Sequence, residues 1–599
     1  MNTHIHRQPY SLMGLAVILF LLCAVPIAAK DTLQTAVDLS LKVDKLLEQN
    51  NYTEALPLAE RAVRIYETVK HPAHDLGYRL VMMQLTKIYV QAARFADAEP
   101  LIIRFLAEQK DAEGETNPLY TDYLLILANI YQVLGNYAKQ EVVVLERARL
   151  LKKIKGENDQ EYYNELGELG IIYNDTAQWE KEVIILDERL AIRKRTVGDH
   201  HPDYAYALSE YALYYYSRGE LARAETQLTQ AKAIYLDTIG MDNIAYAQIL
   251  DIQALVYNSQ GRFAEQKRVA LQAYEIVNKI GAEETSDGIN VLSALISAYQ
   301  VLNELEEAQK AAERAEALQR KIAGEHNVQY INTLRLLGSI YDMQCKCQQA
   351  EDIYQRALNL VRETVTDRHP LYTQCLADLA LVHRRMGHYA LALKMYSECL
   401  ERRKILYGDA HPILADTLVS MGSVANDEGL YRLAEQYYLS AIAIVQKDNS
   451  WQEQLAKIKQ QLANLYEHIG KYERAEHFLR EALETLKELK GDEHPDYAYC
   501  LISQSNLLFD MGKNEEAETA GELALRINRK AYGDKNIVTI YSYTNLLMNY
   551  GRTKNDEKAA QIINDLKVIV ESIPPDEQAA YHWIIGDMIV PAVAFKQYD

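Results

Sequence analysis

A small residue recurs every 42 residues through most of this 599-residue chain, and no other feature constrains the fold as strongly. Beyond the regularly spaced markers, which run from Gly135 to Gly429, the series continues with slips of one residue to Gly470, Gly512 and about Thr553. It extends upstream to Asn50 and Ala93. A chain that repeats at such a period folds as an array of similar units, and these markers count roughly 13 of them. The regularly spaced markers are Gly135, Ala177, Gly219, Gly261, Asn303, Cys345, Gly387 and Gly429.

Other positions keep the same phase. In most units a tyrosine stands four residues before the marker, a small residue seven before it, and alanine five and twelve after it. Small residues at fixed places on two consecutive amphipathic helices let the backbones approach, and a large residue in the facing column fills the remaining gap. Each unit is therefore predicted to be a helical hairpin. Gln140, Glu182 and Gln266 stand where alanine is expected, which predicts local irregularity.

The segments that join the units share a His-Pro pair, as in "GDHHPDYA" at 198–205 and "GDEHPDYA" at 491–498. Proline suits the first turn of a helix, where its missing N–H costs nothing. We therefore interpret the histidines as residues that mark helix starts, and not as metal ligands or catalytic groups. They are His201, His369, His411 and His494.

This combination of small residue, tyrosine, Gly-x-Tyr or Gly-x-Phe, and Ala-Glu, with "GDxHP" between units, resembles the tetratricopeptide repeat. The resemblance is to the long, 42-residue form found in kinesin light chains and many bacterial proteins, and it covers nearly all of residues 31–575. It implies an all-α fold, a right-handed superhelical solenoid of about 13 antiparallel helical hairpins. It implies little about function, because such arrays serve many partners.

The two ends of the chain depart from the repeat. Residues 1–29 combine Arg7, an apolar run and small residues before Lys30, which predicts a secretory signal peptide and a periplasmic or secreted protein. The alternative is an uncleaved membrane anchor, since the apolar run reaches the lower limit of a span. The repeat solenoid is expected over 30–575, and 576–599 is expected to form a helix that caps it or docks on another chain.

The balance of charge limits the partners. The formal net charge is −20, and neutralising phosphates requires clustered Lys and Arg. We therefore expect no nucleic-acid partner, and after removal of the signal no membrane span.

Motifs of catalysis are missing from the sequence. It has no glycine-rich phosphate loop, no Gly-x-Ser-x-Gly, no His-Glu-x-x-His and no two-pair cysteine zinc pattern. The prediction is a non-enzymatic protein with no metal and no cofactor.

Five cysteines follow the predicted signal, too few for a disulfide framework. Cys375 and Cys399 lie 12 residues before and after Gly387, so the two helices of one hairpin would bring them to similar height. Two readings stay open for this pair, a disulfide and small buried thiols.

The resemblance implies that the first helix of each hairpin lines a concave groove in which a peptide lies. Asparagine recurs there and suits a peptide backbone, because its amide both donates and accepts hydrogen bonds. The groove candidates are Asn129, Asn174, Asn258, Asn290, Asn332, Asn426, Asn464, Asn506 and Asn545, the basic Arg335, Arg384 and Arg385, the aromatic Tyr499, Phe509 and Tyr541, and also Tyr206 and Tyr216.

Together these features predict an exported, non-catalytic scaffold or adaptor that binds a protein or peptide in its groove. The alternative is a sensor or regulatory subunit that binds a peptide or small ligand and signals to a partner. The sequence names neither the partner nor the oligomeric state.

Overall fold

The computed structural model describes residues 27–48, 52–68, 76–91, 94–365, 367, 369–448 and 451–572. Within these residues the chain forms 26 α-helices and no β-strand, and consecutive helices pair into 13 hairpins, as predicted. The predicted signal lies almost wholly outside the described residues, and the predicted helix at 576–599 lies entirely outside them. None of the described helices has both the length and the apolar character needed to cross a membrane.

Odd-numbered helices are the first helices of the hairpins, and even-numbered helices are the second. The helices are α1 Ile27–Glu48, α2 Tyr52–Thr68, α3 Leu76–Gln91, α4 Phe95–Glu113, α5 Pro118–Val133, α6 Tyr137–Lys155, α7 Gln160–Asp175, α8 Trp179–Thr196, α9 Pro202–Ser217, α10 Leu221–Thr238, α11 Ile244–Ser259, α12 Phe263–Lys279, α13 Ser286–Val301, α14 Leu305–Ala323, α15 Val328–Met343, α16 Cys347–Thr364, α17 Pro370–Arg385, α18 Tyr389–Tyr407, α19 Ile413–Asp427, α20 Tyr431–Val445, α21 Gln452–His468, α22 Tyr472–Lys490, α23 Pro495–Asp510, α24 Asn514–Tyr532, α25 Ile537–Thr553 and α26 Asp556–Glu571.

The chain divides into two compact units, residues 1–181 and 182–599. The first unit contains a buried ion pair between Arg147 and Glu165. Burial raises the pKa of Glu165 to about 7, although Arg147 opposes the shift. The division falls inside α8, beside Glu182, which occupies an alanine column of the repeat and is buried.

From Gly135 onward, the marker position ends each first helix with a backbone in the left-handed region. Glycine serves there in most hairpins, for example Gly261 at φ 69°. Ala177, Asn303 and Cys345 adopt the same conformation at φ 56°, 60° and 58°. Lys554, at φ 57°, completes the series, so the marker predicted at about Thr553 is one residue too early. The hairpin turn dictates this conformation, which glycine adopts without steric cost.

The tyrosine four residues before the marker has a second role beside packing. In all nine such hairpins a Lys or Arg lies over the tyrosine ring, as Arg262 does over Tyr257 at 4.1 Å from the ring centre. Several hydroxyls also donate to a carboxylate, for example Tyr466 to Glu435 at 2.7 Å. Phenylalanine would offer no hydroxyl and a less attractive ring to a cation, which favours tyrosine over phenylalanine in this column. The nine tyrosines are Tyr89, Tyr131, Tyr173, Tyr215, Tyr257, Tyr299, Tyr341, Tyr466 and Tyr550.

The small residue seven before the marker makes room for a ring of the second helix, as the pattern predicts. A Cβ added to Gly338 would lie 2.6 Å from Tyr354, and one added to Gly422 would lie 2.7 Å from Tyr438. Both tyrosines are buried. The close packing of these tyrosine rings against the small residues therefore sets the distance between the two helices of a hairpin.

The four histidines of the His-Pro segments cap helices, as predicted. In each, Nδ1 accepts a hydrogen bond from the backbone N–H two residues on, at 3.0–3.2 Å. This bond satisfies one of the unpaired donors at the helix start.

Within the second unit, hairpins that lie six apart along the chain come into contact. The imidazole Nε2–H of His494, at the start of α23, donates to the Ser259 carbonyl at the end of α11 over 3.0 Å. Asn536 repeats the arrangement at the start of α25, where its amide donates to the Val301 carbonyl over 2.9 Å. Close to the first contact, a Cβ on Gly261 would collide with the Pro495 ring. His494 and Asn536 therefore each cap their own helix with one side-chain atom and bind a distant helix end with the other.

Candidate functional site

Two cavities in the second unit are lined only by first helices. We call the first the Asp251 pocket; it has a volume of about 190 Å³ and lies between α9, α11 and α13. We call the second the Lys457 pocket; it has a volume of about 370 Å³ and lies between α19, α21 and α23. The Asp251 pocket is lined by Tyr206, Ser209, Glu210, Leu213, Ala245, Gln248, Ile249, Asp251, Ile252, Asp287 and Asn290, and the Lys457 pocket by Asp416, Val419, Gln454, Lys457, Ile458, Gln460, Gln461, Asp496 and Tyr499.

The Asp251 pocket contains carboxylates in an apolar wall. Glu210 is neutralised by Arg189, whose Nε and Nη2 donate to its two carboxylate oxygens in a bidentate pair. Leu213, Ile249 and Ile252 supply apolar surface. No lysine, arginine or histidine is among the lining residues.

Asp251 is half-buried in the wall of the cavity and has no hydrogen-bond or ion-pair partner within the described part of the chain. Burial raises its pKa to about 7, and burial is the one cause of the shift. Removing water from around a carboxylate disfavours the charged form, and no cation is close enough to compensate. Near neutral pH this group is poised between its charged and neutral forms.

The Lys457 pocket contains a closed network of charges. Lys457 Nζ lies 2.8 Å from Glu453 Oε1 and 3.2 Å from Asp496 Oδ2. Lys490 Nζ lies 2.7 Å from each of the same two oxygens, and its side chain is 9% exposed. Two ammonium groups thus face two carboxylates, and every charge in the set has an opposite partner.

The network reverses the pKa shift of its carboxylate. Burial by itself would raise the pKa of Asp496, but Lys457 and Lys490 outweigh burial and lower it to about 2. The same two lysines lower the pKa of Glu453 against the effect of its burial. The pocket therefore keeps both carboxylates charged at neutral pH.

The two pockets occupy the same place in the repeat. Counted back from the marker of each hairpin, all nine lining residues of the Lys457 pocket coincide with lining residues of the Asp251 pocket. The pairs are Tyr206 with Asp416, Ser209 with Val419, Ala245 with Gln454, Gln248 with Lys457, Ile249 with Ile458, Asp251 with Gln460, Ile252 with Gln461, Asp287 with Asp496, and Asn290 with Tyr499.

Three of the predicted groove residues line these cavities. Tyr206, 47% exposed, and Asn290 lie in the Asp251 pocket, and Tyr499, 45% exposed, lies in the Lys457 pocket. Tyr216 instead packs against the buried core of the second unit, as does Tyr541. Phe509 is covered by the Arg552 guanidinium, 4.7 Å from the ring centre.

The predicted basic spot is internally paired. Arg335 Nε lies 2.6 Å from Asp378 and Arg384 Nε lies 2.7 Å from Asp427. Arg385 Nε lies 3.3 Å from Asp342. Each arginine thus binds a carboxylate of the neighbouring hairpin, 43 residues away, and the three are not a free site for an acidic partner.

The asparagines do not form one continuous surface. Asn545 is 1% exposed, and its side-chain Nδ2 donates to the side-chain Oδ1 of Asn506, so this pair holds two first helices together. Asn332 is exposed and accepts a bond from Arg335 at 3.4 Å. The others are half-buried, namely Asn129, Asn174, Asn258, Asn426 and Asn464. Their role in binding stays a prediction.

Cys375 and Cys399 are buried free thiols in the structure, not a disulfide. The Cys399 thiol donates to the Thr373 carbonyl at 3.3 Å. Burial raises the pKa of both thiols. Of the two readings, the structure agrees with small buried side chains.

Asp251, Asp287 and Lys457 line the cavities but are not among the residues predicted from the sequence. The sequence does contain a signal, because the position 13 residues before the marker is lysine in one unit (Lys457) and glutamine in another (Gln248). The cavities show that this difference decides whether a pocket is lined by a cation.

Comparison with known proteins identifies the repeat. Two family models described as tetratricopeptide repeat match, one at 289–363, 371–447 and 454–529, the other at 46–69 and 166–203. No match was found among curated proteins.

Solved structures with similarity include BtubC (BKLC) from P. vanneervenii, at 18% identity and a TM-score of 0.33, covering 37% of this chain and 93% of that one. A putative kinesin light chain of Podosopora anserina with nearly identical TPR-like repeats matches at 22% identity and a TM-score of 0.29, covering 34% and 95%. Likeness at this level supports no statement about function. By its repeat period, its helical hairpins and the matched family models, the chain contains tetratricopeptide repeats.

Proposed function

We propose that this protein is a non-catalytic scaffold that binds an extended segment of a protein partner along the surface formed by the first helices of its hairpins. Tetratricopeptide repeats suggest a protein-interaction role in general. The observation that supports the finer proposal is that both cavities lie between consecutive first helices at the same place in the repeat.

A peptide in extended form suits this arrangement. Cavities that recur at a fixed register along neighbouring helices can take alternate side chains of one strand-like segment, while polar groups between them bind its backbone. The export of the protein, expected from its first 29 residues, is part of the same proposal and rests on that sequence pattern alone.

Site-specific photo-crosslinking tests the proposal. A photoreactive phenylalanine analogue is placed at Tyr206 or at Tyr499, which are half-exposed residues on first helices. The matched control is Ile405, 84% exposed on the second helix α18. In cells that make the protein, crosslinked partner is expected from the first two positions and not from the third. Crosslinking from Ile405 alone, or equally from all three, would contradict the proposal.

A further inference from the structure

The Asp251 pocket and the Lys457 pocket differ chiefly in whether they contain a cation. The aspartate 16 residues before the marker is present in both, as Asp287 and Asp496. In the Lys457 pocket the ammonium group of Lys457 lies 3.2 Å from Asp496. In the Asp251 pocket the equivalent residue is the neutral Gln248, and Asp287 has no ion-pair partner within the described residues.

Asp251 adds a second carboxylate without a partner, at a position where the Lys457 pocket has the neutral Gln460. Gln460 is satisfied there, since its amide donates to Ser503 at 3.1 Å. A buried carboxylate that lacks both a cation and a hydrogen-bond donor is costly to keep charged. The Asp251 pocket therefore gains more than its counterpart from a cation supplied from outside.

We propose that the Asp251 pocket receives the cationic end of a lysine or arginine side chain from the partner segment. This inference rests on the proposed function, because the side chain arrives on the extended segment that the first helices bind. The incoming charge takes the place that Lys457 fills in the equivalent pocket.

The remaining walls of the pocket suit such a side chain. Leu213, Ile249 and Ile252 provide apolar surface for its methylene groups, since lysine and arginine bury their stems and keep the charge among polar groups. Tyr206 is half-exposed at the same cavity and offers its ring to a cation. A volume of about 190 Å³ exceeds the roughly 150 Å³ of a cavity that holds benzene, so one long side chain fits.

The geometry favours an organic cation over a metal ion. No group of three or more His, Cys, Asp or Glu within the described part of the chain is arranged to hold a metal. The three carboxylates of the pocket, Glu210, Asp251 and Asp287, come from three different helices, which suits a guanidinium or ammonium group on a long stem. The net charge of −20 also favours a basic partner segment over an acidic one.

The test uses a library of random 12-residue peptides displayed on phage, selected against the purified chain. Selected peptides are expected to share one Lys or Arg at a fixed place. Fluorescence anisotropy with a labelled copy gives the Kd. Replacing the shared residue with norleucine or citrulline is expected to weaken binding about 10- to 100-fold, the range for a charge-assisted bond.

Variants of the pocket locate the effect. Asp251→Asn is expected to cause a similar loss and to abolish the preference for the basic residue. Gln248→Lys, which supplies an internal cation, is expected to weaken binding at least as much. Asp237→Asn on α10 changes the net charge equally at an exposed residue outside the pocket and should leave the Kd unchanged.

The outcomes separate the two proposals. Peptides that bind without a shared basic residue, or whose Kd ignores both pocket variants, would overturn the cation site and leave the scaffold function standing. Failure to select any peptide would overturn both.

Discussion

Asp251 and Asp496 sit in equivalent pockets of the same protein, yet their carboxyl groups shift in opposite directions. Burial raises the pKa of Asp251 to about 7, whereas for Asp496 the two neighbouring lysines overcome burial and lower the pKa to about 2. The two aspartates occupy different positions in the repeat, since Asp251 corresponds to Gln460 and Asp496 corresponds to Asp287. Their pKa values differ because Lys457 and Lys490 lie beside Asp496, whereas no cation among the described residues lies beside Asp251. One array thus holds one pocket with lysine beside its aspartate and another without it.

The comparison also shows how a repeat protein acquires a specific site. The helices of each hairpin are fixed by the shared packing columns, which leaves the first-helix surface free to vary. Two differences then distinguish the pockets without altering the fold: Gln248 replaces the cation of Lys457, and Asp251 adds a carboxylate where the other pocket has Gln460. Binding chemistry can therefore differ between neighbouring hairpins while the architecture is kept.

The largest expected effect comes from breaking the completed pocket with Lys490→Met. It removes a buried ammonium that lies 2.7 Å from both Glu453 and Asp496, and we expect the free energy of unfolding to fall by about 2–3 kcal/mol at pH 7. Because the folded pKa of Asp496 is below its unfolded value, its contribution is present above about pH 4 and is lost as the pH falls toward 2.

Urea denaturation at pH 7 and pH 3 measures the effect, and the difference between wild type and variant should shrink at pH 3. Lys487→Met is the control, since Lys487 on the same helix is 58% exposed and pairs only with Asp492. An exposed pair of this kind contributes about 0.5 kcal/mol. Equal effects of the two variants would show that the network is not a source of stability.

A smaller effect of opposite sign is expected from Asp251→Asn in the incomplete pocket. The folded pKa of Asp251, about 7, lies above its unfolded value, so the wild type loses stability as the pH rises from about 4 through 7. Asparagine does not ionise, so the variant avoids the cost of a charged group at this site. It should be more stable than wild type by about 2 kcal/mol at pH 8 and equal to wild type near pH 4. Denaturation midpoints across this range measure it. A variant that is no more stable at pH 8 than at pH 4, relative to wild type, would refute the raised pKa.

The smallest expected effect comes from the contact between His494 and the Ser259 carbonyl. This contact joins α11, which carries Asp251 and ends at Ser259, to the start of α23, which carries Asp496. His494→Asn retains both bonds, because Asn536 makes the same two with Oδ1 and Nδ2. We expect stability within about 0.5 kcal/mol of wild type at pH 7.5.

At pH 5 the same variant should be more stable than wild type by about 1 kcal/mol. Burial lowers the pKa of His494, so the wild type loses stability as the pH falls below the unfolded value of about 6.5, and asparagine does not titrate. Hydrogen exchange at the end of α11 and thermal denaturation at the two pH values measure this. His201→Asn is the matched control at a more exposed linker, with a side chain 46% exposed. A variant that opens the α11 contact at both pH values would contradict the bond assignment.

Much of the fold could be predicted because its information is local and repeated. The hairpins were predicted from the markers, the tyrosine column and the small-residue columns. Helix starts were predicted from the His-Pro pairs. The exception was the last marker, placed at about Thr553 and found at Lys554, because a lysine in a left-handed turn carries no compositional signal.

The candidate site was predicted less well. Tyr206, Asn290 and Tyr499 line cavities, and their role in binding stays a prediction. The arginines of the basic spot are paired within the chain, since Arg335 and Arg384 bind aspartates of adjacent hairpins. Residue type alone does not show whether a charge is already paired, because its partner is 43 residues away in the sequence.

The sequence by itself determined the repeat, the hairpin and the class of protein, because each depends on contacts within one unit or with the next unit along the chain. Only the tertiary structure decided that hairpins six apart meet, so that His494 binds Ser259 while His201, in a linker that differs at one position, caps its helix at an exposed site. It also decided which carboxylate lies beside a cation and which does not. The first depends on small angles between successive hairpins that accumulate along the array, and no single repeat encodes their sum. The second depends on which side chains face each other between neighbouring hairpins.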